Sequence, residues 1–126
     1  MTADLRDLIG KPYAPHGRGP DAYDCFGLAI EVLRRYGKSL PDAYYLDENR
    51  SFNSVVIEDF ARAYVVPRVE APEEGDLVLM KVGGVPSHLG VYIGNGKCIH
   101  AWRPTVKVSD MTEIRNKIEG IYRWPR

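Results

Sequence analysis

The chain has 126 residues, enough for one domain over residues 1–126 with a hydrophobic core that needs no disulfide staples. Lys plus Arg and Asp plus Glu number 17 each, so no net charge draws the chain to nucleic acid or to an anionic membrane surface. A hydrophobic fraction of 44% and a charged fraction of 27% are typical of a soluble globular domain.

The first ten residues lack the positively charged segment and apolar run that form a secretion signal. We therefore expect cytoplasmic synthesis without a signal peptide, and no apolar run elsewhere is long enough to span a bilayer. The cysteines are then expected to be reduced, although the sequence leaves a Cys25–Cys98 disulfide open. Because no Cys-x-x-Cys or His-x-x-x-His spacing occurs, neither a metal site nor a cofactor is predicted.

The chain begins with a predicted amphipathic helix over residues 3–9, in which Leu5, Leu8 and Ile9 share one side. Residues 13–23 are rich in Gly and Pro and are predicted to form a loop. This loop leads directly into the next predicted helix.

That helix is predicted to begin at Cys25, because Asp24 can accept a backbone N–H of the first turn and Gly37 supplies a left-handed stop. Its inner face consists of residues at helical spacing, namely Cys25, Ala29, Val32, Leu33 and Tyr36. A thiol in the first turn feels the positive end of the helix dipole, which favours the nucleophilic thiolate. Cys25 is thus a candidate nucleophile, and a small buried apolar residue is the alternative interpretation.

A loop with Tyr44 and Tyr45 precedes a third predicted helix, from Ser51 or Asn53 to about Tyr64. Its predicted inner face consists of Val55, Val56, Phe60 and Tyr64. The rest of the chain predicts strands over residues 77–82, 87–93, 97–102, 106–109 and 121–124. Helices followed by a meander of strands predict an α+β fold, with the N-terminal helices packed on a central antiparallel sheet.

The turn at Gly94-Asn95-Gly96 predicts a hairpin whose register decides where His88 and His100 point. A two-residue turn would place His100 opposite Val91, with the two histidines on opposite faces. A three-residue loop with a glycine bulge instead pairs Ile93 with Lys97 and places His100 opposite Gly90. We favour the second register, because it separates apolar from polar side chains almost completely.

In this register one face carries Leu89, Val91, Ile93, Ile99 and Ala101, and the other carries His88, Gly90, Tyr92, Cys98, His100 and Trp102. His88 and His100 are then diagonal neighbours, roughly 7–8 Å apart at Cβ, close enough for the two rings to share a hydrogen bond. The alternative is a pair of half-exposed histidines on an open face of the sheet.

These residues together meet the requirements of thiol acyl chemistry. His88 would take or share the proton of Cys25 to give a thiolate–imidazolium pair, and His100 would orient His88. The backbone N–H of Cys25 is a natural donor to the oxyanion at a helix start. This arrangement requires the Cys25 helix to pack on the histidine face of the hairpin.

Four motifs now resemble the NlpC/P60 family, papain-like cysteine peptidases that cut peptides of bacterial cell-wall peptidoglycan. They are Lys11-Pro12-Tyr13, Tyr23-Asp24-Cys25-Phe26-Gly27-Leu28, Gly75-Asp76-Leu77-Val78 and HLGVYIGNGKCIHA at residues 88–101. The resemblance runs in order from Lys11 to about Trp102, and it implies the papain-like NlpC/P60 fold.

The resemblance implies a role for each matching residue. Cys25 matches the nucleophile, His88 the general base and His100 the third polar member of a catalytic triad. Tyr13 matches a tyrosine near the oxyanion site, and Asp24 matches an aspartate that in some members binds a free amino group of the stem peptide.

Phe26 departs from the serine that follows the cysteine in many cell-wall-recycling members, and it resembles the subset attached to bacteriophage tails. Phe26, Ser87 and Trp102 complete the predicted substrate-binding set. The implied partners are peptidoglycan peptides and phage tail proteins, and the implied location is the virion tail, a cytosolic recycling system or a longer polypeptide.

Two alternatives stay open at this point. One is a papain-like acyltransferase that uses the same triad on an amine or lipid, with Tyr44 and Tyr45 shaping the cleft. The other is a catalytically silent structural or binding module of a tail. Cys98 lies in mid-strand without help from a helix dipole, so an inert thiol is expected there.

Overall fold

The computed structural model of the protein describes residues 3–43, 45 and 50–125, so the predictions for Tyr44 lie outside the described residues. Within these residues there are two α-helices, α1 (Cys25–Arg35) and α2 (Arg50–Ala63), and two single turns of 3-10 helix, Arg6–Leu8 and Arg115–Lys117. The strands are β1 (Arg68–Val69), β2 (Leu77–Val82), β3 (Val85–Tyr92), β4 (Lys97–Trp102), β5 (Thr105–Asp110) and β6 (Ile118–Tyr122).

The strands form one sheet in the order β1-β6-β2-β3-β4-β5, and each pairing is antiparallel. The helices come first and pack on this sheet, so the predicted α+β fold is confirmed. Neither helix in the described part of the chain combines the length and the apolar character needed to cross a bilayer.

The predicted helix over residues 3–9 is only the single turn Arg6–Leu8. Leu5 and Leu8 are buried as expected, but Ile9 is 51% exposed, so its predicted inward position is wrong. The backbone of Ile9 is already extended (φ −65°, ψ 127°), which removes this side chain from the helical spacing that would have turned it inward.

Helix α1 follows the local rules of its sequence. The Asp24 carboxylate accepts the Gly27 N–H at 2.7 Å, and Gly37 adopts a positive φ of 80° just beyond the helix. The predicted inner residues Ala29, Val32, Leu33 and Tyr36 are buried. They pack in one core with the sheet residues Leu89, Val91, Ile99 and Ala101.

Helix α2 begins at Arg50, so Ser51 and Asn53 lie inside the helix and neither is its cap. Val56 and Phe60 are partly buried, but Val55 and Tyr64 are 54% and 48% exposed, so their predicted inward positions are wrong. Val55 is one residue, or about 100°, away from the buried stripe. Tyr64 lies beyond the last helical residue, where its ring contacts Phe60 at 4.7 Å between centroids.

The β3–β4 hairpin has the predicted three-residue loop. Gly90 pairs with His100 and Val91 pairs with Ile99, so the favoured register is confirmed. The N–H of Ile93 donates to Lys97 at 2.9 Å, and Asn95 lies in the left-handed region (φ 52°). The histidine face is not open, because a second buried cluster covers it: Val78, Met80, Cys98, Ile114 and Ile121.

The loop before α1 is packed against the helix start at Gly27. A Cβ added to Gly27 would lie 1.9 Å from the carbonyl oxygen of Gly17, a backbone atom that also accepts the Asp24 N–H. This close approach fixes the position of the residues on either side of Cys25.

We therefore expect Gly27→Ala to lower the free energy of unfolding by about 2 kcal/mol, because the methyl group forces helix and loop apart. Equilibrium urea unfolding measures the change. Arg34→Ala, at an exposed position of the same helix, is the matched control and should change stability by less than about 1 kcal/mol. Helix propensity alone would make Gly27→Ala at least as stable as the wild type. That result would contradict the close contact between Gly27 and the Gly17 carbonyl oxygen.

Candidate active site

A cavity of about 770 Å³ opens beside the start of α1. It is lined by every predicted site residue except His100: Tyr13, Asp24, Cys25, Phe26, Ser87, His88 and Trp102. His100 lies behind His88 and contacts it from the neighbouring strand. Residues about 60 positions apart in the sequence therefore line the same cavity.

Cys25 is the first residue of α1, and it is half-buried. The helix packs on the Leu89 and Val91 face of the hairpin, so the expectation that it packs on the histidine face is wrong. Cys25 and His88 line the same cavity instead, beside a bulge in β3: Met80 pairs with His88 and Lys81 pairs with Pro86, so Ser87 is the extra residue. A bulge bends its strand and increases the local twist, which re-aims side chains at this end of the sheet.

The Cys25 thiol lies in an environment that disfavours charge. Burial, and to a smaller extent the neighbouring Asp24 carboxylate, raise the pKa of the thiol to about 11. Backbone hydrogen bonds from Leu89 and Phe26 lower the thiol pKa, but their effect is smaller than that of burial and Asp24. The predicted preference for thiolate is therefore wrong for the free site, because desolvation outweighs the helix start.

The predicted contact between the two imidazoles is present. Nε2 of His88 and Nδ1 of His100 are 2.9 Å apart, and the rings cross at 69°. Only 5% of His88 and 7% of His100 is exposed, so the alternative of two half-exposed histidines is wrong. The hydrogen bond uses Nε2 of His88, which leaves Nδ1 as the nitrogen that can take a proton from Cys25.

Both histidines are held neutral. Burial lowers the pKa of His88 to about 3, and His100 adds a smaller effect in the same direction. Burial also lowers the pKa of His100 to about 4, with further contributions from the positive charges of Lys107 and Lys117. At neutral pH the free site therefore holds an uncharged thiol and two uncharged imidazoles.

A further polar group extends the series of hydrogen bonds that begins at His88. Nε2 of His100 is 2.9 Å from Oγ of Ser109 on β5. Sequence reasoning missed Ser109, although the tight turn at Arg103-Pro104 carries a signal for it. That turn pairs Trp102 with Thr105, and the resulting register puts Ser109 on the same face as His100.

The Asp24 carboxylate is 2% exposed and has several donors besides the cap of α1. Arg18 donates to it at 2.9 Å, and the Tyr45 hydroxyl donates to its second oxygen. Arg18 also forms two hydrogen bonds with Asp42. The capping role is confirmed, whereas binding of a substrate amino group stays a prediction, and the amine would have to compete with these donors.

The remaining predicted residues give the cavity its aromatic and polar walls. Phe26 is 8% exposed and packs on Tyr45 and Phe60, each with 5.9 Å between ring centroids. Trp102 contacts the His88 ring edge-on at 4.8 Å and is 42% exposed. These positions suit contact with substrate, but the substrate roles stay predictions.

Cys98 lies apart from this cavity lining, on the covered histidine face of β4. Both cysteines are free thiols, so the disulfide that the sequence left open is not formed. Burial raises the pKa of Cys98 to about 12, which is consistent with the inert thiol expected there.

Comparison of the sequence with known families gives one match over most of the chain: residues 10–118 match the family described as NlpC/P60. "Probable endopeptidase p60" of Listeria innocua is 31% identical over 114 residues, which are 88% of this chain and 21% of that protein. "Probable peptidoglycan endopeptidase LytE" of Bacillus subtilis is 29% identical over 117 residues, 88% of this chain and 29% of that protein. The chain thus spans less than a third of the length of these relatives.

Solved structures show the same fold. The NlpC/p60 domain of the peptidoglycan hydrolase SagA superposes with a TM-score of 0.65 at 21% identity, covering 95% of this chain and 92% of that one. NlpC1 from Trichomonas vaginalis superposes with a TM-score of 0.69 at 22% identity, covering 95% of this chain and 41% of that one. The predicted papain-like arrangement of helices on an antiparallel sheet is therefore confirmed.

The neutral buried histidines predict that acid destabilises the protein. In the unfolded chain a histidine binds a proton near pH 6.5, whereas folded His88 and His100 bind one only near pH 3 and pH 4. Protonation therefore favours the unfolded state as the pH falls below about 6.5, and the contribution to stability is present above that value.

We expect His100→Asn to flatten this dependence, because it removes one of the two titrating groups. Urea unfolding of both proteins between about pH 7 and about pH 4.5 measures it, and the comparison cancels the carboxylates that the two proteins share. Equal slopes for the two proteins would show that His100 is not held neutral by burial.

Proposed function

Because the chain belongs to the NlpC/P60 family, we propose that it is a cysteine peptidase that hydrolyses amide bonds in the stem peptides of peptidoglycan. The observation that carries the proposal is that Cys25 and His88 line the same cavity, with His88 hydrogen-bonded to His100. Relatives named as endopeptidases, one of them a peptidoglycan endopeptidase, support the same class of reaction.

The first step forms an acyl-enzyme. Sγ of Cys25 attacks the carbonyl carbon of the scissile amide while its proton passes to Nδ1 of His88. The backbone N–H of Cys25, at the start of α1, donates to the oxyanion that forms. When the C–N bond breaks, the imidazolium of His88 gives its proton to the leaving amine, and a thioester to Cys25 remains.

Water completes the cycle. His88 removes a proton from a water molecule as the water oxygen attacks the thioester carbon, and it gives that proton to Sγ of Cys25 as the C–S bond breaks. The products are the substrate carboxylate and the regenerated Cys25 thiol. His100 stays neutral throughout and accepts the Nε2–H of His88, which stabilises each imidazolium as it forms.

The resting charges determine the timing of proton transfer. A thiol with a pKa of about 11 and an imidazole with a pKa of about 3 do not form separate ions at neutral pH. The proton therefore passes to His88 as Sγ attacks the substrate carbonyl, so the negative charge develops on the carbonyl oxygen and not on sulfur. His88 acts in this scheme as a general base.

A second candidate, acyl transfer to an amine or lipid, is favoured by one feature of the cavity. Asn53, Glu58 and Arg62 of α2 line the cavity. Apolar side chains nevertheless make up much of the lining on and near the same helix: Leu40, Val56, Ile57, Phe60, Leu79 and Val82. Such a lining suits an apolar acyl group attached to Cys25. Product analysis with peptidoglycan fragments and with lipid esters separates transfer from hydrolysis of stem peptides.

Association with a bacteriophage tail is a finer proposal that rests on Phe26 in the sequence. A location of the protein in a virion is inferred from the resemblance of Phe26 to the tail-associated members of the family. An active enzyme is favoured over a silent tail module because Cys25 lines the same cavity as His88, which is hydrogen-bonded to His100.

We expect Cys25→Ala to lower the rate of peptidoglycan digestion roughly a thousandfold or more, because no other thiol lines the described cavity. Mass spectrometry of digested peptidoglycan measures the new amine and carboxylate ends. Cys98→Ala is the matched control and should keep activity, since Cys98 lies outside that cavity lining. Digestion by Cys25→Ala at the wild-type rate contradicts the proposal.

The neutral resting thiol predicts how Cys25 reacts with iodoacetamide. The reaction rate should rise with pH through the neutral range and keep rising toward pH 11, because thiolate accumulates only as the thiol pKa is approached. Labelling is measured by mass spectrometry at several pH values, and Cys25→Ala gives the background from Cys98. A rate that is already constant from about pH 5 upward would instead show a preformed thiolate–imidazolium pair.

A further inference from the structure

We propose that Ser109 is a positioning residue: its Oγ accepts the Nε2–H of His100 and keeps Nδ1 of His100 free to accept from His88. The proposal rests on the proposed role of His88 as general base, and it adds a fourth member to the chain that begins at Cys25. Ser109 acts through His100 and does not contact substrate.

The geometry of three adjacent strands carries this inference. Nε2 of His88 lies 2.9 Å from Nδ1 of His100, and Nε2 of His100 lies 2.9 Å from Oγ of Ser109. The three residues come from β3, β4 and β5, and their face of the sheet is covered by a buried cluster. Both nitrogens of His100 are thus engaged, so its tautomer is coupled to its two neighbours.

The direction of the hydrogen bonds follows from the proton that His88 must carry. Once Nδ1 of His88 has taken the proton of Cys25, both of its nitrogens are donors, and its Nε2–H points at Nδ1 of His100. A neutral His100 can accept there only when its own proton is on Nε2. That Nε2–H then needs an acceptor, and Oγ of Ser109 is in place.

The opposite direction would disable the site. If the Ser109 hydroxyl donated to Nε2 of His100, then Nδ1 of His100 would carry the proton and donate to Nε2 of His88. The neutral His88 would then carry its own proton on Nδ1 and have no lone pair there to accept a proton from Cys25. The two directions therefore predict different protonation of the same two rings.

A neutral hydroxyl suits this position because the surroundings are already positive. Lys107 lies opposite His100 on β5, and the charge of Lys117 also acts on both histidines. A carboxylate in place of Ser109 would attract a proton to His100, and a doubly protonated His100 has no lone pair for His88. Ser109 orients the ring without adding a charge.

The tautomers are read directly from ¹⁵N NMR of the histidine rings in the free protein at neutral pH, a measurement that needs no substrate. We expect His100 to be protonated at Nε2 in the wild type, and Ser109→Ala to move part of this population to Nδ1. Ser109→Thr keeps the hydroxyl and should keep the wild-type spectrum. A wild-type His100 protonated at Nδ1, or a Ser109→Ala spectrum without change, overturns the proposal.

Kinetics give a second, independent test with peptidoglycan peptides. Ser109→Ala should lower kcat about tenfold with little change in KM, since the change acts on His88 through His100. Ser109→Thr should restore the rate, and Thr112→Ala, at an exposed position beyond β5, should leave kcat unchanged.

A double-mutant cycle separates positioning from a structural role. In the background of His100→Asn there is no ring tautomer to select, so adding Ser109→Ala should change kcat less than about twofold. If the two substitutions instead multiply, Ser109 acts independently of His100 and the proposal is wrong. If wild-type protein cleaves no peptide, the peptidase proposal fails, and the NMR spectra still decide the role of Ser109.

Discussion

The three-residue loop at Gly94-Asn95-Gly96 is the constraint on which the rest of the molecule depends. It pairs Gly90 with His100, and this register sends the apolar residues of both strands toward α1. The same register places both imidazoles on the other face, within hydrogen-bond distance. A slip of one residue would turn the side chains of one strand to the opposite face of the sheet. The two imidazole rings would then be separated, and Ile99 would leave the apolar face that packs on α1. Stability and chemistry thus share one determinant.

Burial then decides the charge state of the site. His88 and His100 are almost inaccessible, and this burial keeps both imidazoles neutral. Burial of the Cys25 thiol likewise outweighs the tendency of a helix start to stabilise a thiolate. The buried Asp24 carboxylate accepts hydrogen bonds from Arg18, Tyr45 and the Gly27 N–H, so its oxygens are satisfied inside the protein. The thiol and the two imidazoles are therefore uncharged at neutral pH, and the Asp24 carboxylate beside them is engaged in structural hydrogen bonds.

Local rules account for the parts of the fold that the sequence predicts well. The cap of α1 at Asp24 and the hairpin loop depend on residues within a few positions of one another, so spacing alone specifies them. Spacing fails where an element ends sooner than its pattern, as at Ile9, which is already extended. It also fails at Val55, because a run of apolar residues does not state which of them faces inward.

The site shows the same division. The contact between His88 and His100 follows from one hairpin, whereas the partners of Asp24 come from loops up to 21 residues away and no periodicity links them. The contact of Ser109 with His100 is intermediate between these two cases. The short turn between β4 and β5 determines which face Ser109 is on, but it indicates a contact with His100 only once the face of His100 is known from the β3–β4 hairpin. The packing face of α1 was not predictable, because the periodicity of a helix shows that it is amphipathic and not which face of a sheet receives it.

The packing of α1 on the apolar face has a consequence for specificity. Cys25 and His88 line one cavity with residues of two kinds. Aromatic residues such as Tyr13 and Trp102 line it, and so do apolar residues of α2 such as Val56 and Ile57. The proposed mechanism would be the same for a peptide and for an apolar acyl group, because each would form a thioester to Cys25. What distinguishes hydrolysis from transfer is whether water or another acceptor reaches that thioester, and this choice belongs to the walls of the cavity.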